Sequence, residues 1–230
     1  HFNLDSSLLM RYLGNNYTGA YRQVNDIVTR LRALHIDEEL ISKYTRVMLT
    51  GCPNRFVAET TRDNALLHWR HRNGPTIDKK LKQVMKTMNK EDKNNFVISL
   101  PHWVARFMPH LFFTPQHILE KPGKKDRQIF DASKRYTPWS TPINMMTSTP
   151  AGSEEDCLFG SVREEILHRL YNCRISFPNT DLIIHANDVK SAFRQIKLHP
   201  DIMGAFSFII ADTLFLSCGL SFGTDFSPAN

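Results

Sequence analysis

Asp188-Val189-Lys190-Ser191-Ala192-Phe193 follows the apolar run Leu182-Ile183-Ile184, and the organisation of the chain can be worked out from there. The apolar run predicts a buried strand that ends in a carboxylate, with an aromatic five residues further on. Ala205 to Ile210 and Thr213 to Ser217 read as two more short strands. Behind them, Leu220-Ser221-Phe222-Gly223-Thr224-Asp225-Phe226-Ser227-Pro228-Ala229 reads as a glycine turn entering a helix. Upstream, Ser153-Glu154-Glu155-Asp156 is a helix start with acids in its first turn. Leu158, Val162, Ile166 and Leu170 give that helix an apolar stripe, and Pro178-Asn179 ends it. Helix, strand, turn, strand, strand and helix start in this order make an α+β arrangement.

Further towards the amino terminus, His117-Ile118-Leu119-Glu120-Lys121, a Pro122-Gly123 turn and Arg127-Gln128-Ile129-Phe130-Asp131 predict a β-hairpin. Prolines at 138, 142 and 150 punctuate the loop that follows. The first hundred residues read mostly as helices. Tyr21, Val24, Ile27, Val28 and Leu31 recur at helical spacing, as do Leu40, Ile41, Tyr44, Val47 and Met48 before Gly51. Asn64 to Arg72 and Ile77 to Asn89 predict two more helices, the second basic and amphipathic. Three regions result: 1–100, helical; 101–152, around the hairpin; and 153–230, around the expected strands.

Composition narrows the function classes. The 29 Lys and Arg against 23 Asp and Glu leave a net charge of +6, with a pI near 9.2. Such an excess points to nucleic acid only where it clusters, because phosphate binding depends on releasing counterions from a continuous polyanion. Lys121, Lys124, Lys125, Arg127, Lys134 and Arg135 do cluster, opposed by Asp126 and Asp131. The other run, Lys79, Lys80, Lys82, Lys86, Lys90 and Lys93, reads as the polar face of a helix. Cys52, Cys157, Cys173 and Cys218 are too scattered for a zinc knuckle or a disulfide framework. His68 and His71 have neither a Glu after the first His nor a third ligand nearby, the pattern of surface histidines. No signal peptide or membrane span is expected, so the chain reads as a soluble, intracellular protein.

Asp188 through Pro200, followed by the 220–229 block, resembles the first two palm motifs of reverse transcriptases, and the phenylalanine at 222 is similar to long-terminal-repeat retrotransposon enzymes. Arg127 with Asp131 resembles the fingers hairpin of the same family, and the three blocks stand in family order across 112–230. The resemblance implies right-hand polymerase fingers and an incomplete palm with an antiparallel sheet. It implies RNA-directed DNA synthesis from deoxynucleoside triphosphates on an RNA or DNA template with a primer, using Mg2+ or Mn2+. Asp188 and the Val189 carbonyl would hold the metal. Ser191 and Ala192 would lie along the triphosphate, and Phe193 would exclude a ribose 2′-hydroxyl. Phe222 and Gly223 would sit at the nucleotide pocket, where Ser221 replaces the family's usual proline.

Arg127 would grip the triphosphate, since its planar fork matches phosphate oxygens. Its assisting lysine is Lys121, Lys124 or Lys125, with Lys121 preferred. The family's Asp-Asp hairpin would lie beyond Asn230, so this chain alone is expected not to extend a primer. Two other readings stand beside the polymerase: a non-catalytic nucleic-acid-binding remnant or domesticated module, and a structural subunit using its helical region to bind a partner.

Overall fold

A computed structural model describes residues 24–52, 73–108, 111–123, 126–135, 137–146, 162–184 and 192–221. The chain is α+β and divides into two compact units, one of residues 1–149 with 191–230 and the other of residues 150–190.

Among the described residues, the first unit opens with α1 (Val24–Ala33) and α2 (Glu38–Thr50). Asp37 caps α2 by accepting the Glu39 N–H at 2.6 Å, and Gly51 closes it at φ +91°. Ile41 and Met48 are the buried side chains of α2. Pro75 opens α3 (Pro75–Lys79) at a position where its missing N–H costs nothing. Lys80 then separates α3 from α4 (Leu81–Lys93). Ile77, Val84 and Met88 carry the buried face of this pair.

A three-stranded antiparallel sheet follows in the order β1-β5-β4, built from β1 (Val97–Pro101), β4 (Ser207–Ile210) and β5 (Thr213–Ser217). The register sets Val97 against Ser217 and Pro101 against Thr213 on one side of β5, and Ser207 against Leu216 on the other. Ala211, at φ +51°, turns β4 into β5. The central strand is buried from Leu214 to Ser217, as expected for a strand paired on both edges. Pro101, which has no N–H to give a ladder, ends an edge strand.

β2 (Gln116–Leu119) and β3 (Arg127–Phe130) form the expected second hairpin, with Gly123 at φ +70° in its turn. Phe130 joins the two sheets, its ring 6.0 Å from Phe206 and 6.3 Å from Phe208, which stacks on Phe215 at 5.3 Å. Phe206, Phe208 and Phe215 are fully buried, as is Phe112. Each such side chain contributes about 1.5–3 kcal/mol of hydrophobic stabilisation.

Asn73 ties the sheets together through its amide. Its Nδ2 donates to Ile209 O at 2.6 Å, and its Oδ1 accepts from Gln116 N at 2.9 Å. Between β5 and the end of the described chain, Leu198 N donates to Cys218 O at 2.8 Å and Leu220 N to Ile196 O at 3.0 Å. Cys52 pairs with the other side of Leu198, donating to Lys197 O at 2.6 Å and accepting from His199 N at 3.1 Å.

Within the mostly helical first hundred residues, β1 was not expected; it is a strand because β5 pairs with it. One expectation needs correction. Leu182-Ile183-Ile184 form no strand, and Ile183 and Ile184 are 90% and 70% exposed. An apolar triplet becomes a strand only when another strand completes its ladder, and among the described residues none pairs with it. The helix expected before it is present as α6 (Val162–Ser176), after a four-residue α5 (Ile143–Met146). Ile166 on its expected stripe is exposed, and Leu158 lies outside the described residues. Tyr21 and the helix expected over Asn64 to Arg72 also lie outside them.

Candidate nucleotide and nucleic-acid site

The residues singled out by sequence fall into three groups. Asp188, Val189, Ser191, Phe222 and Gly223 lie outside the described residues. Ala192 and Phe193 open the short helix α7 (Ala192–Gln195), of which the backbone is described. Lys121 and Arg127 are described in full and are exposed on the β2–β3 hairpin.

The hairpin positions its arginine by simple means. Arg127 is the first residue of β3, opposite Leu119 in register. Its guanidinium forms no ion pair among the described residues. Asp131, the acid nearest in sequence on its C-terminal side, is instead 3.0 Å from His117 Nε2. The acids at the hairpin mouth are also engaged, since Lys80 bridges Asp126, at 2.7 Å, and Glu120. Gln83 Nε2 adds a bond to Asp126 at 3.3 Å. Hydrogen bonding from Lys80 holds the Asp126 carboxyl below its usual range, and the same bond followed by that of Glu120 raises the Lys80 ammonium. With Glu120 and Asp126 held by Lys80 and Asp131 set beside His117, neither Arg127 nor Lys121 forms an ion pair among the described residues.

The second feature lies where α7 meets the residues after β5. Gly219 pairs with Lys197 in an antiparallel bridge. A Cβ on Gly219 would overlap the Arg194 carbonyl oxygen and come within 2.8 Å of Arg194 C. Only glycine therefore lets this strand lie against the end of α7. The Arg194 side chain closes the same junction, donating from Nη1 to Ser221 Oγ at 3.1 Å and pairing through Nη2 with Glu91 at 3.0 Å. Ser221 is fully buried, and Ser217 Oγ lies 3.4 Å from its hydroxyl. Leu198, Cys218 and Leu220 are buried beside it. Burial pulls the Lys197 ammonium below its ordinary range and pushes the Cys218 thiol well up.

Two sequence blocks separated by the β4–β5 hairpin are thus joined by backbone pairing and by one arginine. Arg194 was not among the expected site residues, although it immediately follows Phe193. Asn73, which carries the link between the two sheets, has no local sequence signal at all. Among the described residues, no group of three His, Cys, Asp or Glu side chains gathers into a metal site. No helix among them is long and apolar enough to cross a membrane. No family model, curated protein or solved structure matches this chain.

Proposed function

We propose that this chain is the fingers and part of the palm of a retroelement reverse transcriptase that binds a deoxynucleoside triphosphate. The observation that carries the reading is the junction at Gly219, where the end of α7 and residues 219–221 lie in backbone contact. In a polymerase of this kind the two blocks line one nucleotide pocket, so they must be neighbours. An Arg127 that is exposed and has no ion-pair partner among the described residues, on a short hairpin, also suits a group that grips a triphosphate.

In this reading Arg127 and Lys121 bind the phosphates, Ser191 and Ala192 lie along them, and Phe193 excludes the 2′-hydroxyl. Phe222 and Gly223 form the rest of the pocket. Mg2+ or Mn2+ enters through Asp188 and the Val189 carbonyl. The partners are an RNA or DNA template with its primer.

The test is equilibrium binding of a fluorescent deoxyadenosine triphosphate in Mg2+, with and without primer-template. The expected result is binding that weakens at least tenfold in Arg127→Ala. Phe193→Ala should retain binding but lose the preference for the deoxy over the ribo form. Absence of binding, or binding indifferent to both substitutions, would refute the polymerase reading.

A further inference from the structure

The basic helix α4 carries a feature that neither the hairpin nor the Gly219 junction uses. On an ideal helix, Lys82, Lys86, Lys90 and Lys93 fall within an arc of about 80°, rising about 6 Å, 6 Å and 4.5 Å from one to the next. They line a groove of about 640 Å³ with Met85 and Asn89. All four lysines are exposed. None of their ammonium groups forms an ion pair or hydrogen bond with a described residue.

The acids of the same helix are held elsewhere. Glu91 pairs with Arg194, and Asp92 Oδ1 accepts the Ser99 N–H at 3.2 Å. Asp78, one turn before Lys82, makes no ion pair with it. The opposite face is fixed in the core through Val84 and Met88, each 1% exposed. Fixing the acids and the apolar stripe inward leaves a one-sign ridge facing water.

We infer that this ridge is a contact track for the phosphodiester backbone of a single nucleic-acid strand, separate from the nucleotide site. The inference rests on the reading that the chain handles nucleic acid, and not on its polymerase chemistry. Four like charges on one rigid ridge repel one another, and a polyanion that releases its counterions relieves that repulsion. Along a stacked strand the phosphates recur about every 3.4 Å, so a lysine every ~6 Å can meet alternate phosphates. A membrane surface suits the ridge less well. Interfacial helices insert bulky apolar side chains, and here those of α4 are already committed to the core.

The experiment measures binding of the 230-residue chain to a fluorescent oligo(dT) by anisotropy across a salt series. Single-strand contacts each contribute a slope of about −0.7 in log K against log salt, so replacing all four lysines by glutamine should flatten the slope by about 2.8. Affinity at low salt should fall at least tenfold. Arginine at the same four positions should preserve both, and far-UV circular dichroism should show the glutamine variant folded. An unchanged slope in the folded glutamine variant would overturn the inference, as would a wild-type chain that does not bind oligo(dT). Lysine-dependent binding to phosphatidylserine vesicles without oligo(dT) binding would overturn it in favour of a membrane. Loss of triphosphate binding with intact, lysine-dependent oligo(dT) binding would remove the polymerase reading and leave this one standing.

Discussion

Replacing Gly219 by alanine should cost far more than a surface glycine substitution, and the structure gives the size. The new Cβ would meet backbone on α7, the Arg194 carbonyl oxygen first and then Arg194 C at 2.8 Å and Cα at 3.0 Å. No flexible side chain can swing aside there. The strand must lift, straining or breaking the bonds from Leu198 N to Cys218 O and from Leu220 N to Ile196 O. Two backbone hydrogen bonds are worth about 1 kcal/mol each net, and forced overlap in a packed region costs about 1–3 kcal/mol. A stiffer unfolded chain returns about 0.4–1 kcal/mol. The net loss is about 2–4.5 kcal/mol, a large share of a typical total of about 5–15 kcal/mol.

Gly123→Ala is the matched control, since its Cβ meets nothing within 4 Å and only its φ of +70° opposes the change. That substitution should cost about 1 kcal/mol, the left-handed penalty less the unfolded-state gain. Urea unfolding of both variants supplies the comparison, and hydrogen exchange at the Leu198 and Leu220 amides supplies the local readout. Should Gly219→Ala prove no more destabilising than Gly123→Ala, with both amides still protected, the close approach of α7 to residues 219–221 would be wrong. The polymerase reading would lose its main support with it.

Gly51→Ala places a Cβ 2.6 Å from Leu198 and His199 backbone atoms at a φ of +91°, and should lose about 2–4 kcal/mol through strain and the Cys52 pairing; a loss below that of Gly123→Ala would contradict it. Asn73→Ala leaves Ile209 O and Gln116 N without their side-chain partner, and should cost about 2–4 kcal/mol. Asn73→Asp, which keeps only the acceptor, should retain protection of the Gln116 amide in hydrogen exchange and lose part of the stability. The Lys80 cluster predicts a two-sided pH profile. Asp126, with its pKa lowered, contributes stability above its unfolded value that fades as pH falls through the folded one. Lys80, with its pKa raised, contributes below its unfolded value and fades as pH rises through the folded one. Urea midpoints of Asp126→Asn should therefore vary less with pH than wild type below about pH 4 and above about pH 10, and an unaltered profile would refute the pairing. Cys218, buried with its thiol pKa pushed up, should escape alkylation until unfolding, whereas exposed Cys173 should react at once; site-resolved mass spectrometry distinguishes them.

How much the sequence disclosed depended on whether a signal was local. The β2–β3 hairpin was legible because Pro122-Gly123 marks its turn and Gly123 takes the left-handed conformation there. β4 and β5 were legible because two residues separate two apolar runs. α2 announced itself through its spacing and through Gly51 behind it. β1 did not, because Val97 to Pro101 becomes a strand only through β5, far along the chain. Leu182 to Ile184 failed in the opposite sense, carrying strand composition without a ladder among the described residues. At the site, Arg127 could be picked out by residue type and hairpin position. What frees it could not, since that depends on Lys80 and His117 occupying the neighbouring acids. The lysines of α4 read as an ordinary polar face, and only the capture of Glu91 and Asp92 on other sides of the helix sets them apart.

The pairing of β1 with β5 also has a consequence during synthesis. Val97 finds its partner only when Ser217 has been made, roughly 120 residues later. At about 5–20 residues per second, β1 waits some 6–24 s on the ribosome with its ladder groups paired to water rather than to a strand. Throughout that interval Val97 and Ile98, both buried in the finished fold, are exposed to whatever else in the cell can add a strand. The nascent chain is therefore a candidate client for a holding chaperone until the middle strand of its sheet emerges.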